Sequence, residues 1–170
     1  DQTGIRTVIR RKAAADDHGA TAYLVRIGVV RNLAGKAAVK LLLEALHEAV
    51  QADEIGDPLT RYCLALQGEK IAGYCMMGPL DIDVDDPAAL ELHRLYVAPD
   101  VKGKGVAAVL MDDCLAWARR LGANALYLSV WESNARAQAF YKGYGFQHVG
   151  EHKFMVGRVA DRDFIWRLAL

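Results

Sequence analysis

Between Leu95 and Ala107 the chain reads Leu95-Tyr96-Val97-Ala98-Pro99-Asp100-Val101-Lys102-Gly103-Lys104-Gly105-Val106-Ala107. This is a strand pattern, a proline stop, and a Lys/Gly turn that opens straight into a helical pattern. Two glycines let a backbone turn tightly and approach a ligand closely. The N–H groups of a helix's first turn have no intrahelical acceptor, and the helix dipole adds partial positive charge there. Lys102 and Lys104 add full charges. That combination suits an anion, most naturally a phosphate or pyrophosphate. The plainer reading is a solvated loop whose lysines serve solubility. The loop is neither a GxxxxGK[ST] phosphate loop nor a GxGxxG dinucleotide fingerprint.

Three other positions carry groups suited to proton transfer. Glu91 and His93 lie two apart in a strand pattern, so they share a face with Leu95 and Val97. An imidazole of pKa near ~6.5 is suited to moving a proton. Either residue can equally be a surface ion-pair partner of Arg94 or Arg10. Tyr141 sits on a short helical pattern after Asn134, and a phenol near pKa ~10 stays protonated at neutral pH. Its plainer reading is a tyrosine at the edge of the core.

The elements that must position these groups alternate along the chain. Residues 5–10 read as a strand, 13–27 and 33–52 as helices, and Gly56-Asp57-Pro58 as a break. Residues 61–66 and 71–77 form a strand pair joined by the turn Gln67-Gly68-Glu69-Lys70. An acidic loop, Asp81-Ile82-Asp83-Val84-Asp85-Asp86, precedes a strand at 89–97. Residues 105–121 read as a helix with Val106, Val109, Leu110, Cys114, Trp117 and Leu121 on its apolar face, capped by Gly122. A strand at 125–130 follows, then a helix at 133–142 with a Ser/Asn cap, closed by Gly143 and Gly145. The segments 146–156 and 162–169 read as strands around Gly157. The fold class is therefore α/β, in the α+β sense of a mixed sheet. The spacing predicts one domain over 1–170, since 170 residues suit a single domain.

Composition narrows the function classes. Apolar residues make up 53% and charged residues 25%, so the chain builds a core. Twenty-one Lys plus Arg balance 21 Asp plus Glu, which leaves no overall basic field for nucleic acid. No uncharged apolar run reaches the length of a membrane span. The opening DQTGIRTVIR has no apolar signal region, although the chain does not begin with Met. Cys63, Cys75 and Cys114 are too few and too scattered for a disulfide framework or a zinc site, so they read as buried thiols of a cytoplasmic protein. His148 and His152 flank Gly150 outside a helix, so no metal is expected.

Taken together, Lys102-Gly103-Lys104-Gly105-Val106-Ala107 after a strand ending in Val-x-Pro resembles the pyrophosphate loop of the GNAT superfamily of acetyl-CoA-dependent N-acetyltransferases. Lys102 stands where that family usually has Arg or Gln, which keeps a cation and loses the planar fork. The family's second signature is matched by Asn134, Ala137, Phe140-Tyr141 and Gly145-Phe146. The resemblance covers residues 89–170 closely and 1–80 in element order only. A narrower likeness to the bacterial PaiA-type spermidine/spermine acetyltransferases lies in Trp131-Glu132-Ser133-Asn134, Ala139-Phe140-Tyr141, Gly145-Phe146, Gly150-Glu151-His152-Lys153-Phe154, Asp163-Phe164-Ile165 and Leu90–Val97, where that type usually carries a second Glu in place of His93.

The resemblance implies a GNAT-like acyl-CoA N-acyltransferase fold, a central sheet splayed near 95–97 with helices on both faces. It implies acetyl-CoA as cosubstrate, without a metal, and direct acetyl transfer to a primary amine in a ternary complex. It assigns Tyr141 as the acid for the departing thiolate and Glu91 or His93 as base, unless the amine deprotonates in solvent. It assigns the oxyanion donor to the backbone of Leu95, Tyr96 and Val97, and the cofactor contacts to Lys102, Gly103, Lys104, Gly105, Val106, Ala107, Asn134 and Tyr141. Asn134 can equally be only a helix cap. The acidic loop suits a polycationic amine, with a solvated loop as the plainer reading. A protein N-terminus, a lysine or an amino-sugar antibiotic are other acceptors. The expected partner is a small-molecule amine, with no nucleic acid and no membrane; exposed strand edges leave homodimerisation open. The alternative from another class is a non-catalytic acyl-CoA-binding sensor.

Overall fold

A computed structural model describes residues 5–10, 59–67, 70–156 and 159–170. The expected helices at 13–27 and 33–52, the break at 56–58, the turn residues 68–69 and the turn at Gly157 lie outside the described residues.

Seven strands hydrogen-bond in the order β1-β2-β3-β4-β5-β7-β6. They are β1 (Ile5–Arg10), β2 (Arg61–Gln67), β3 (Lys70–Gly78), β4 (Leu90–Val97), β5 (Ala125–Trp131), β6 (Gln147–Val156) and β7 (Val159–Ala169). Two helices are described, α1 (Val106–Arg120) and α2 (Ala135–Gly143). β4 and β5 pair in parallel, whereas β1–β2, β2–β3, β5–β7 and β6–β7 are antiparallel. The sheet is mixed, as the sequence predicts.

By internal contacts the chain divides into two compact units. One comprises Asp1–Gly78 with Arg94–Cys114, the other Pro79–His93 with Leu115–Leu170.

In the first unit, Cys63 lies opposite Cys75 across the β2–β3 pair, and both are buried with Cys114 of α1. On the other strand face, Tyr62, Leu64, Tyr74 and Met76 form a cluster with Ile71 and Tyr96 against it. The alternation is the period of two that burial on both faces of a strand requires. The β2–β3 register slips between Ala65 and Leu66: Ala65 faces Gly73 and Leu66 faces Ile71, so Ala72 is the extra residue of a bulge. The freed Ala72 carbonyl accepts the Ala98 N–H at 2.8 Å, which ties the end of β4 to β3.

α1 buries Val106, Leu110, Met111, Cys114, Leu115 and Ala118, one stripe at helical spacing. The expected face was narrower and misplaced at its end, because Leu121 is 59% exposed. Helical geometry carries the apolar stripe through 111, 115 and 118 instead.

In the second unit, Ala89, Ala125 and Tyr127 pack with Leu80, Ile82, Val84 and Ile165. The β5–β7 ladder runs from Ala125↔Ala169 to Trp131↔Asp163. Among the described residues the parallel β4–β5 ladder comprises Leu90↔Leu126 and Glu91↔Tyr127, at the N-terminal ends of both strands.

Candidate active site

The segment after β4 folds as the sequence requires. Pro99 stops the strand and starts a 3-10 turn over Pro99–Val101. Gly103 and Gly105 take φ of 82° and 83°, a region that side chains with a Cβ rarely enter. Nothing lies within 4 Å of the space a Cβ would fill at either glycine, so conformation rather than crowding demands glycine there. The N–H of Val109 bonds the Gly105 carbonyl, so the N–H groups of Val106 and Ala107 precede the first intrahelical bond. Gly103, Lys104 and Gly105 are exposed and Lys102 is half-buried. The loop therefore presents a backbone turn, a helix start and two cations together.

Gly73 was missed by the sequence reading and bears directly on this segment. A Cβ there would stand 2.5 Å from the Tyr96 carbonyl oxygen, 3.1 Å from Val106 Cγ1 and 3.3 Å from Leu110 Cδ1. The absent side chain lets β3 lie close to the Tyr96 backbone and the first turn of α1. The signal was available, because a glycine inside a strand pattern marks a bulge or a close backbone approach. Leu95, Tyr96 and Val97 are half-buried at the end of β4. Tyr96 packs against Tyr74 with tilted rings, centroids 5.3 Å apart, and burial pushes its phenol above the ordinary tyrosine value against the opposing pull of Arg94.

In the second unit, Glu91 is 5% exposed. Its Oε2 accepts the N–H of Asp81 at 2.8 Å and of Ile82 at 3.2 Å. Its Oε1 lies 3.6 Å from Nδ1 of His93, so the two candidate bases do share a strand face. The acidic loop is therefore built, not simply solvated. Leu80, Ile82 and Val84 turn inward while Asp81, Asp83 and Asp85 are exposed. Asp86 departs from its neighbours: one oxygen accepts Nδ2 of Asn124 at 2.8 Å and the other faces the Tyr127 hydroxyl at 3.3 Å.

Asn134 caps α2, its Oδ1 accepting the Ala137 N–H at 3.2 Å. Tyr141 is buried, packed against Phe140 and Phe146 at centroid distances of 5.5 and 5.8 Å. The helix runs one residue past its expected end, through Gly143, and closes at Gly145 with φ 91°. The Phe146 N–H bonds the Tyr141 carbonyl at 3.2 Å and the Gly145 N–H bonds the Lys142 carbonyl at 3.0 Å. Those two bonds define a Schellman cap, and the Phe146–Tyr141 contact is its usual hydrophobic partner. The Gly-Phe pair thus fixes the backbone and ring of Tyr141. Trp131 is 39% exposed at the end of β5. Among the described residues, no group of three or more His, Cys, Asp or Glu is arranged to hold a metal ion.

The sequence matches the Acetyltransferase (GNAT) family over residues 46–146. The chain belongs to that family. An uncharacterised N-acetyltransferase of Mycobacterium bovis is 36% identical over 120 residues, 71% of this chain and 74% of the relative. The N-alpha-acetyltransferase RimI of Mycobacterium tuberculosis is 32% identical over 97 residues, 57% of this chain and 58% of its own. The crystal structure of a PaiA N-acetyltransferase from Thermoplasma acidophilum, in complex with coenzyme A, superposes with a TM-score of 0.75 at 17% identity, over 98% of this chain and 99% of that one. The GNAT fold and the N-acetyltransferase class follow from family membership. No helix among the described residues is long and apolar enough to cross a membrane.

Proposed function

We propose that this GNAT N-acetyltransferase uses acetyl-CoA to acetylate a small primary amine in the cytoplasm, by direct transfer within a ternary complex formed by one domain. The observation that carries the reading is the 102–107 segment: two positive-φ glycines, two lysines and the start of α1 on one exposed turn. Lys102, Gly103, Lys104, Gly105, Val106 and Ala107 take the pyrophosphate, and the backbone of Leu95, Tyr96 and Val97 faces the thioester. Asn134 combines its cap with a contact to the pantetheine arm.

The reaction balances without a redox partner. The neutral amine nitrogen attacks the thioester carbonyl, forming C–N while negative charge moves to oxygen, where a backbone N–H stabilises it. The oxyanion collapses and C–S breaks. The amine gives up a proton to a base, Glu91 or His93, and Tyr141 gives its phenolic proton to the leaving thiolate. No cysteine belongs to either motif, and Cys63, Cys75 and Cys114 are all buried.

A polyamine is the first acceptor choice. The exposed carboxylates of Asp81, Asp83 and Asp85 project from a loop whose backbone Glu91 holds, a setting that favours a polycation. The likeness to RimI favours a second reading, a protein N-terminal amine. Acetyl-CoA-dependent thiol release with spermidine, with the product confirmed by mass, tests the first. A release rate no greater than the no-amine blank, with acetyl-CoA bound, overturns spermidine. Tyr141→Phe keeps acetyl-CoA affinity and loses rate if the phenol is the acid; an unchanged rate removes it from that role.

A further inference from the structure

We infer that Glu91 is a positioning residue rather than the base, and that its two oxygens do different work: one fastens the acidic loop, the other sets the tautomer of His93, which is the base. The inference deepens the proposed function and rests on it for the transfer step alone.

Glu91 is poorly placed to take a proton from substrate. Its side chain is 7% exposed, and Oε2 already accepts two backbone N–H groups. Those donors hold the loop at Asp81 and Ile82, so protonating or moving this carboxylate would strand two N–H groups. Oε1 remains, and it faces Nδ1 of His93 at 3.6 Å. At that distance the contact is electrostatic rather than a formed hydrogen bond. An anionic oxygen beside Nδ1 still favours the proton on that nitrogen and leaves the Nε2 lone pair for substrate. The histidine side chain is 19% exposed, and among the described residues Nε2 has no hydrogen-bond partner. In the forward direction Nε2 takes the proton that the attacking amine loses, and the imidazolium so formed is stabilised by Oε1. All four residues, Asp81, Ile82, Glu91 and His93, belong to one compact unit.

The same geometry makes Glu91→Gln informative. The amide has one acceptor and two donors. The two loop N–H groups require its oxygen on their side, which turns its NH2 toward His93. Nδ1 then becomes the acceptor and the imidazole proton moves to Nε2, the wrong nitrogen for a base. The loop clamp survives while the tautomer reverses.

The test is imidazole nitrogen NMR on the full chain at a pH where His93 is neutral. The wild type is expected to show His93 protonated at Nδ1, and Glu91→Gln to show it protonated at Nε2 with the Asp81 and Ile82 amide signals retained. An Nε2-protonated wild type, or a tautomer unmoved in Glu91→Gln, overturns the inference whether or not the protein acetylates spermidine. If Glu91→Gln fails to fold, the wild-type tautomer and His93→Gln still decide. With spermidine and acetyl-CoA, Glu91→Gln and His93→Gln each lower kcat by about 100-fold or more, the range for a general base, with little change in KM for acetyl-CoA. The double variant falls no further than His93→Gln. A further loss in the double variant shows Glu91 acting independently and overturns the assignment.

Discussion

Gly73→Ala should damage stability and cosubstrate binding together. The added Cβ would stand 2.5 Å from the Tyr96 carbonyl oxygen. A relaxed carbon–oxygen contact needs roughly 3.3 Å or more, so about 0.8 Å must be found. The obstructing atom is backbone and cannot rotate away as a side chain would. Val106 Cγ1 at 3.1 Å and Leu110 Cδ1 at 3.3 Å block escape toward the helix. The displacement must therefore fall on β4 at Tyr96, on α1 at its first turn, or on β3. Overpacking of this kind costs about 1–3 kcal/mol, offset by about 0.4–1 kcal/mol because alanine restricts the unfolded chain. A net loss of about 1–2 kcal/mol corresponds to a fall in Tm of roughly 2–8 °C for a chain of this size. The shift also moves the end of β4 and the start of α1 that carry the 102–107 turn, and with them the backbone donors offered to acetyl-CoA. Thermal unfolding followed by circular dichroism and calorimetric titration with acetyl-CoA read the two effects. A variant with unchanged Tm and unchanged acetyl-CoA affinity refutes the close-approach argument.

Arg61, 7% exposed, pairs with Asp113 at 2.5 Å; Asp113→Ala takes that carboxylate from a buried guanidinium and should cost about 3–5 kcal/mol, seen as a lower urea midpoint, while Arg61→Met combined with Asp113→Leu recovers most of it. Cys63, Cys75 and Cys114 are buried, so a thiol reagent such as DTNB should label none of them in the native chain and all three after unfolding. The contact with Cys75 and then burial push the Cys63 thiol up, and the Cys114 thiol at 3.2 Å pushes Cys75 up. A raised folded value means the native state holds these protons more tightly than the unfolded chain. The stability they contribute is therefore full below the ordinary thiol value and is lost as pH rises above it. Urea midpoints should fall from neutral into alkaline pH, and fall less steeply in Cys63→Ala, which has one fewer thiol whose proton only the native state retains.

Local chemistry was legible where one residue type has one physical use. Proline at 99 had to stop β4, the paired glycines had to turn, and Asn134 had to cap, because each of those demands is set by the backbone within a few residues. The apolar face of α1 was read nearly right, losing Leu121 because periodicity does not reveal where the surrounding core ends. The roles of Glu91 and His93 were not separable in sequence. Their two-residue spacing gives a shared face, but what divides their work is the loop at Asp81 and Ile82, ten and nine residues away, arriving to donate to one carboxylate oxygen. Asp86 was counted among four solvent-facing carboxylates for the same reason. Its partners Asn124 and Tyr127 lie 38 and 41 residues on.

The glycines separate two kinds of constraint, and that separation gives a sharper test of how Tyr141 is held. Gly73 is small because atoms crowd it. At Gly145 a Cβ would meet only Leu168 Cδ1 at an ordinary 3.6 Å, so the constraint there is its φ of 91°. A left-handed conformation costs a residue with a Cβ about 1–2 kcal/mol, and asparagine tolerates it better than alanine. Gly145→Asn should therefore lose less stability than Gly145→Ala, the reverse of the order that crowding would give, since asparagine is the larger. If the cap is what fixes the Tyr141 phenol, acetyl transfer should follow the same order, with acetyl-CoA affinity changing less than rate. A greater loss of stability in Gly145→Asn than in Gly145→Ala would mean that space, not conformation, governs this turn, and the link from Gly145 through Phe146 to Tyr141 would fail with it.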